Sequence, residues 1–109
     1  MGQFLYGKRA VPLELPDRTL MHVQAVVSIK LRRHESFMLN LTLTSGAVGW
    51  QSYWLHPSIP LQFLYGTRAE IRFNRTWVER LLKSANQSDG LWITREPQAE
   101  PAESAPLTG

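Results

Sequence analysis

Gln3-Phe4-Leu5-Tyr6-Gly7-Lys8-Arg9-Ala10 returns later in the chain as Gln62-Phe63-Leu64-Tyr65-Gly66-Thr67-Arg68-Ala69, with seven of eight positions identical. So close a match over so short a window marks a repeated structural unit. The likeness runs on after a two-residue adjustment. Leu13-Glu14-Leu15 and then Asp17-Arg18-Thr19-Leu20 answer to Ile71-Arg72-Phe73 and then Asn74-Arg75-Thr76-Trp77. Each copy reads as strand, tight turn at Gly7 or Gly66, strand, and a helix opened by Asp17 or Asn74, residue types that accept a hydrogen bond from a free first-turn N–H.

The helices carry apolar stripes of the right period. Leu20, Val23, Val27 and Leu31, widened by Val26 and Ile29, mark the core face of the first. Trp77, Val78, Leu81, Leu82 and Ala85 mark that of the second. Between the copies Phe37, Leu39, Leu41 and Leu43 alternate with Met38, Asn40, Thr42 and Thr44, the period of a strand with one face buried. A turn at 45–49 leads into an aromatic strand from Trp50 to His56, so this pair reads as an antiparallel hairpin. Pro57 and Pro60 interrupt the ladder, and Leu91-Trp92-Ile93 forms a last short strand. The order expected is ββαββββαβ. It describes an α+β fold with one mostly antiparallel sheet, both helices on one face, and an internal ββα duplication at 3–33 and 62–86.

With 109 residues, 43% of them hydrophobic, the chain has material for one core, expected to span residues 1–95. Residues 1–95 hold all twelve Lys and Arg against six acids, a net charge of +6. Residues 96–109 carry Glu96, Glu100 and Glu103 among Pro97, Pro101 and Pro106, and this acidic tail is expected to be disordered. There is no cysteine, which excludes disulfides and thiolate metal sites. The start lacks a signal-peptide pattern and no apolar run is long enough to span a bilayer, so a cytoplasmic location with no membrane partner is expected.

Sets of residues that carry known chemistries are missing. His22, His34 and His56 have no metal-ligand spacing, so no metal site is expected; His22 reads as a partly exposed surface residue. His56 reads as a strand-end residue whose ring packs on Trp54 or bonds a backbone carbonyl. Ser36, Ser52 and Ser58 lack a nucleophile elbow, and no phosphate-cradling glycine loop or other cofactor motif occurs. The feature above background is Lys30-Leu31-Arg32-Arg33-His34 at the end of the first helix. Its plain reading is that cations offset the helix macrodipole. Its sharper reading joins Lys30, Arg32 and Arg33 with Lys8, Arg9, Arg68, Arg72 and Arg75 in a phosphate-attracting patch, with Trp50, Tyr53 or Trp54 to stack bases.

At Asp17-Arg18-Thr19-Leu20-Met21-His22, Lys30-Leu31-Arg32-Arg33, Glu35-Ser36-Phe37, Trp54-Leu55-His56-Pro57-Ser58-Ile59-Pro60-Leu61, and Asn74-Arg75-Thr76-Trp77 with Ser84-Ala85-Asn86, the chain resembles an actinobacterial family of proteins of about a hundred residues. The resemblance covers nearly all of 3–97, and the family is one of unknown function. Its members are often labelled ATP-dependent DNA ligase. That label implies a lysine in a Lys-x-Asp-Gly motif, whereas Lys8, Lys30 and Lys83 stand in Lys-Arg-Ala-Val, Lys-Leu-Arg-Arg and Lys-Ser-Ala-Asn. The reading is a non-enzymatic binding module with DNA or RNA as the favoured partner. A protein-interaction or homodimerisation module is the alternative, with a ligase-related role third.

Overall fold

The two copies of the repeated stretch pair with each other. In the computed structural model, which describes residues 1–8, 11–42, 49–68 and 70–98, β1 (Gly2–Tyr6) lies antiparallel to β5 (Leu61–Leu64). Phe4 stands opposite Phe63, Gln3 opposite Leu64 and Leu5 opposite Gln62. Since Phe63 is the counterpart of Phe4, and Leu64 that of Leu5, the ladder has a local twofold through the Phe4–Phe63 pair. Their ring centroids are 5.3 Å apart. On its other side β1 pairs with β2 (Val11–Leu15), giving a sheet of order β2-β1-β5. Gly7 has φ 73, the left-handed conformation glycine adopts without penalty, and its N–H bonds the Pro60 carbonyl at 2.9 Å.

Beyond this pair the copies diverge. The stretch after β5, read from the repeat as a further strand, has no ladder partner among its described residues. Its backbone instead finds partners on α1 (Asp17–Arg32): Arg18 donates to the Arg72 carbonyl at 3.0 Å, and the Asn74 N–H donates to His22 Nε2 at 2.8 Å. Gly66 serves a different need from Gly7. A Cβ there would lie 2.4 Å from the Met1 carbonyl oxygen, so close approach excludes any side chain.

The second sheet consists of β3 (Phe37–Thr42), β4 (Trp50–Leu55) and β6 (Leu91–Trp92), ordered β4-β3-β6, antiparallel between β3 and β4 and parallel between β3 and β6. The α+β class follows the sequence reading, and so does the element order apart from the further strand expected after β5, but the single sheet divides in two. Pro57 and Pro60 occupy the passage from β4 to β5, which turns through an Ile59 N–H to His56 carbonyl bond, and the ladder does not continue across it. The turn expected at 45–49 lies outside the described residues except for Gly49, as do Leu43, Thr44, Arg9 and tail residues 99–109.

Both helices deliver their stripes to one core, in which Leu20, Val23, Val26 and Val27 of α1 meet Trp77, Leu81 and Ala85 of α2 (Arg75–Ala85) together with Phe4, Leu39, Leu55 and Leu91. The helices run side by side in the same direction: His22 meets Asn74 and Trp77 at the start of α2, and Lys30 meets Asn86 at its end. Asn74 is the expected cap, its Oδ1 accepting the Trp77 N–H at 3.2 Å. Asp17 is not. Pro16 holds the cap position of α1, and the buried Asp17 carboxylate accepts the Gly66 N–H at 3.1 Å, tying the helix to the second copy. His22, expected at the surface, is fully buried between Phe73 and Trp77. Its Nδ1 donates to the Arg18 carbonyl at 2.7 Å while Nε2 accepts from Asn74, which selects the neutral Nδ1–H tautomer.

Glu96, read as the first residue of the tail, is held instead by a two-bond fork from Arg18, each bond 2.7 Å, and by the Asn74 amide at 2.9 Å. Asn74 also donates to the Pro97 carbonyl. The Arg18 bonds, foremost, hold the Glu96 carboxyl down at about 2 against an ordinary 4.5. A carboxylate that is more acidic when folded adds stability above pH 4.5 and loses it as pH falls through about 2. The pair is partly exposed, so water screens it to about 1 kcal/mol. In urea unfolding across a pH series, Glu96→Gln should be less stable than the parent by that amount at pH 7, and the gap should close between pH 4.5 and 2.

The end of α1 carries a local misfit. The Glu35 N–H bonds the Lys30 carbonyl and the His34 N–H bonds the Leu31 carbonyl, the bond pattern of a Schellman cap, which places His34 at φ 60. Glycine fills that position at lower cost. His34→Gly should therefore stabilise the fold by about 0.5–1 kcal/mol, read as a higher thermal midpoint.

Candidate nucleic-acid interface

The β3–β4 register decides which aromatic residues reach solvent. Phe37, Leu39 and Leu41 alternate inward, with Tyr53 and Leu55 on the same side of β4. Trp50, Ser52 and Trp54 consequently share the outer face, opposite Thr42, Asn40 and Met38. Trp50 is 61% and Trp54 49% exposed, and the four residue steps from one to the other set their Cα atoms about 14 Å apart along the strand. Tyr53 belongs to the core side, against Phe4 and Tyr6. In β6 Trp92 stands beside Asn40 on the outer face, and its ring lies 5.9 Å from that of Trp50.

A polar spine under these rings fixes them. Buried Asn40 donates to the Asp89 and Leu91 carbonyls at 2.9 and 3.3 Å and accepts from the Ser52 hydroxyl. Ser52 in turn accepts the Trp50 indole N–H at 3.0 Å, and the Trp92 indole donates to Asp89 at 3.3 Å. Each hydroxyl and amide in the chain has its partner, so the outer face is organised before anything binds it.

Among the described residues, Lys30 stands apart from the exposed arginines with which the sequence reading joined it. Lys30 is only 6% exposed. Its ammonium donates to Asn86 Oδ1 at 2.7 Å and pairs with Glu35 at 3.0 Å, above the Phe37 ring. The ammonium sits where both parallel helices end, on the favourable side of their dipoles. Arg32, Arg33, Arg68, Arg72 and Arg75 are exposed. Arg32 borders a groove with Ile71 and Phe73, away from the tryptophans. The antiparallel β1–β5 register sets Gly7 beside Pro60 and Gly66 beside Met1, at opposite ends of the ladder, so Arg68 does not share an end with the turn that precedes Arg9.

Two other groupings bring cations to the tryptophans. Arg80 and Lys83, three apart on α2, line a shallow depression with Trp92. Lys30 and Trp54 line another, with Ser36, Asn86 and Ser88. Trp92, Arg80 and Lys83 were not singled out from the sequence; the three-residue spacing on a helix was the available signal, but only the parallel β3–β6 pairing shows which side of α2 meets the sheet. His56 bonds Ser58 through Nδ1, neither stacking on Trp54 nor reaching a backbone carbonyl. Among the described residues no cluster of three metal-ligating side chains occurs, and no described helix is long and apolar enough to cross a membrane.

Residues 1–96 match the family of a domain of unknown function, DUF7882, and the chain belongs to that family. No curated protein and no solved structure matches it.

The placement of Lys30 separates two roles that sequence alone joins. Lys30→Ala removes a buried ammonium and leaves Asn86 Oδ1 and Glu35 without their partner, and should cost about 2–3 kcal/mol in chemical denaturation. Arg33→Ala, at an exposed site, should stay within about 0.5 kcal/mol.

Proposed function

We propose that this DUF7882 chain is a non-enzymatic binding module that takes single-stranded nucleic acid on the outer face of the β4-β3-β6 sheet. The observation that carries the reading is the row of Trp50, Trp54 and Trp92 on one sheet face, the first two widely exposed and Trp50 and Trp92 held by a satisfied polar spine. Unstacked bases present flat apolar surfaces that such rings accept, each worth about 1–3 kcal/mol. Arg80 and Lys83 beside Trp92 supply phosphate contacts, and the +6 body supplies the long-range attraction. A duplex keeps its bases stacked and cannot use the tryptophans in this way.

A protein partner or second copy is the other reading, favoured by one feature. β4 is a sheet edge whose six residues include neither a charge nor a proline, the features that protect edges from pairing. The Trp54 carbonyl on that edge already accepts the Tyr6 hydroxyl at 2.6 Å, which shortens the stretch open to a new strand. A ligase-related role has no support in the lysines, since the buried Lys30 is engaged with Asn86 and Glu35.

Fluorescence titration with a ten-nucleotide single strand tests the proposal. Binding should weaken steeply between 50 and 200 mM salt (about 0.7 in log K per log salt for each phosphate contact). Trp50→Ala and Trp54→Ala should each lower affinity by about tenfold without unfolding the domain. Absence of binding at 50 mM salt, or binding indifferent to both substitutions, overturns it. A dimer in sedimentation that Trp50→Ala dissociates puts the second reading in its place.

A further inference from the structure

Because α1 and α2 run parallel, both end at the same side of the molecule, and their exits frame a recess. The chain leaves α1 through left-handed His34 towards β3. It leaves α2 through Gly90, whose φ is 95 and where a Cβ would lie 2.5 Å from the Met38 carbonyl oxygen. Between these exits lies a cavity of about 340 Å3 lined by Lys30, Ser36, Met38, Trp54, Asn86 and Ser88. It opens at the end of the tryptophan row, with the exposed Trp54 ring as a wall. Here a lysine and a tryptophan that the sequence reading both singled out line the same recess.

The polar groups here are unevenly matched. An ammonium has three N–H donors; Asn86 and Glu35 take two of those on Lys30. Asn86, with its oxygen on Lys30, has both amide N–H donors left over. The recess therefore offers an N–H of the buried Lys30 ammonium and an N–H of the exposed Asn86 amide side by side, and a buried donor gains from meeting an acceptor. The fitting ligand presents two adjacent acceptors on a flat ring that can stack on an indole. Among the bases, guanine does so with N7 and O6. Adenine sets a donor beside its N7, cytosine presents a donor, and thymine presents a single O4 acceptor on that edge.

We propose that this cavity is the base-reading subsite of the interface and takes a guanine, stacked on Trp54, with N7 and O6 accepting from Lys30 and Asn86. The inference rests on the single-strand reading above and adds to it a position and a base. The remaining tryptophans hold neighbouring bases without preference, since stacking is tolerant of sequence.

The test compares a ten-nucleotide oligothymidylate with the same strand carrying one central guanine, and with that guanine replaced by 7-deazaguanine, which lacks the N7 acceptor. The guanine strand should bind about tenfold more tightly than oligothymidylate, and 7-deazaguanine should lose most of that gain. On the protein side Asn86→Asp keeps an oxygen for Lys30 and removes only the amide donors. It should bring the guanine-to-thymine affinity ratio close to one, and the ratio cancels any general effect of the added charge. Circular dichroism confirms that the variant is folded. Equal affinity for the two strands, with binding still dependent on Trp50, overturns the subsite and leaves the interface standing. A guanine preference untouched by Asn86→Asp or by 7-deazaguanine also overturns it. If neither strand binds, the subsite falls together with the interface.

Discussion

The pairing of Phe4 with Phe63 is the constraint on which the remaining arrangement depends. Two copies of one strand that meet edge to edge around a local twofold must run antiparallel, and the register that satisfies the symmetry sets Phe4 against its counterpart Phe63 and exchanges the residues on either side. Once β1 and β5 are joined in this way, the Gly7 and Gly66 turns stand at opposite ends of the ladder. Each copy then launches its continuation from a different end of the same sheet. The first copy folds back as β2 on the free edge of β1. The second is drawn along α1 by Arg18, His22 and Asp17, so its backbone groups are satisfied by a helix instead of a strand.

Asn74 shows how this divergence is held in place. Its backbone N–H reaches His22, its side-chain oxygen caps α2, and its amide nitrogen binds Glu96 and the Pro97 carbonyl. One residue thereby joins the first helix, the second helix and the segment that follows β6. His22 can answer only as a neutral ring, and Arg18 answers twice, to the Arg72 carbonyl and to Glu96. The parallel course of the helices is fixed at this end by Asn74 and at the other by Lys30 with Asn86.

How far the sequence could be read follows from the range of each signal. Both helical stripes, the β3–β4 alternation over its described residues and the Asn74 cap are short-range patterns, and each is present in the fold; of the repeated unit, β1 and β5 pair while the stretches after them diverge. Division into two sheets depends on where a chain goes after Pro57 and Pro60, which no periodicity encodes. Asp17 looked like a cap because its residue type suits one; the Gly66 N–H that it serves is 49 positions away. His22 sits between Met21 and Val23, a place compatible with either face of the stripe, and only Phe73 and Trp77 arriving from the second copy bury it. For the interface, Trp50 and Trp54 were legible as aromatic residues of one strand, while Trp92, brought alongside by a parallel pairing between distant segments, was not.

Lys30 marks where fold and interface share a residue. Two parallel helix ends place several carbonyls close together, and a cation drawn in to offset them has to lose most of its water. Asn86 and Glu35 engage two of its three donors, and those two contacts orient the third. Trp50 and Trp92 are prepared in the same way, with indole N–H groups already bonded to Ser52 and Asp89, so their ring faces need no reordering on contact. Groups oriented in advance by the fold lose little conformational entropy when a ligand arrives, so a face of only a few side chains can bind flat rings with useful affinity.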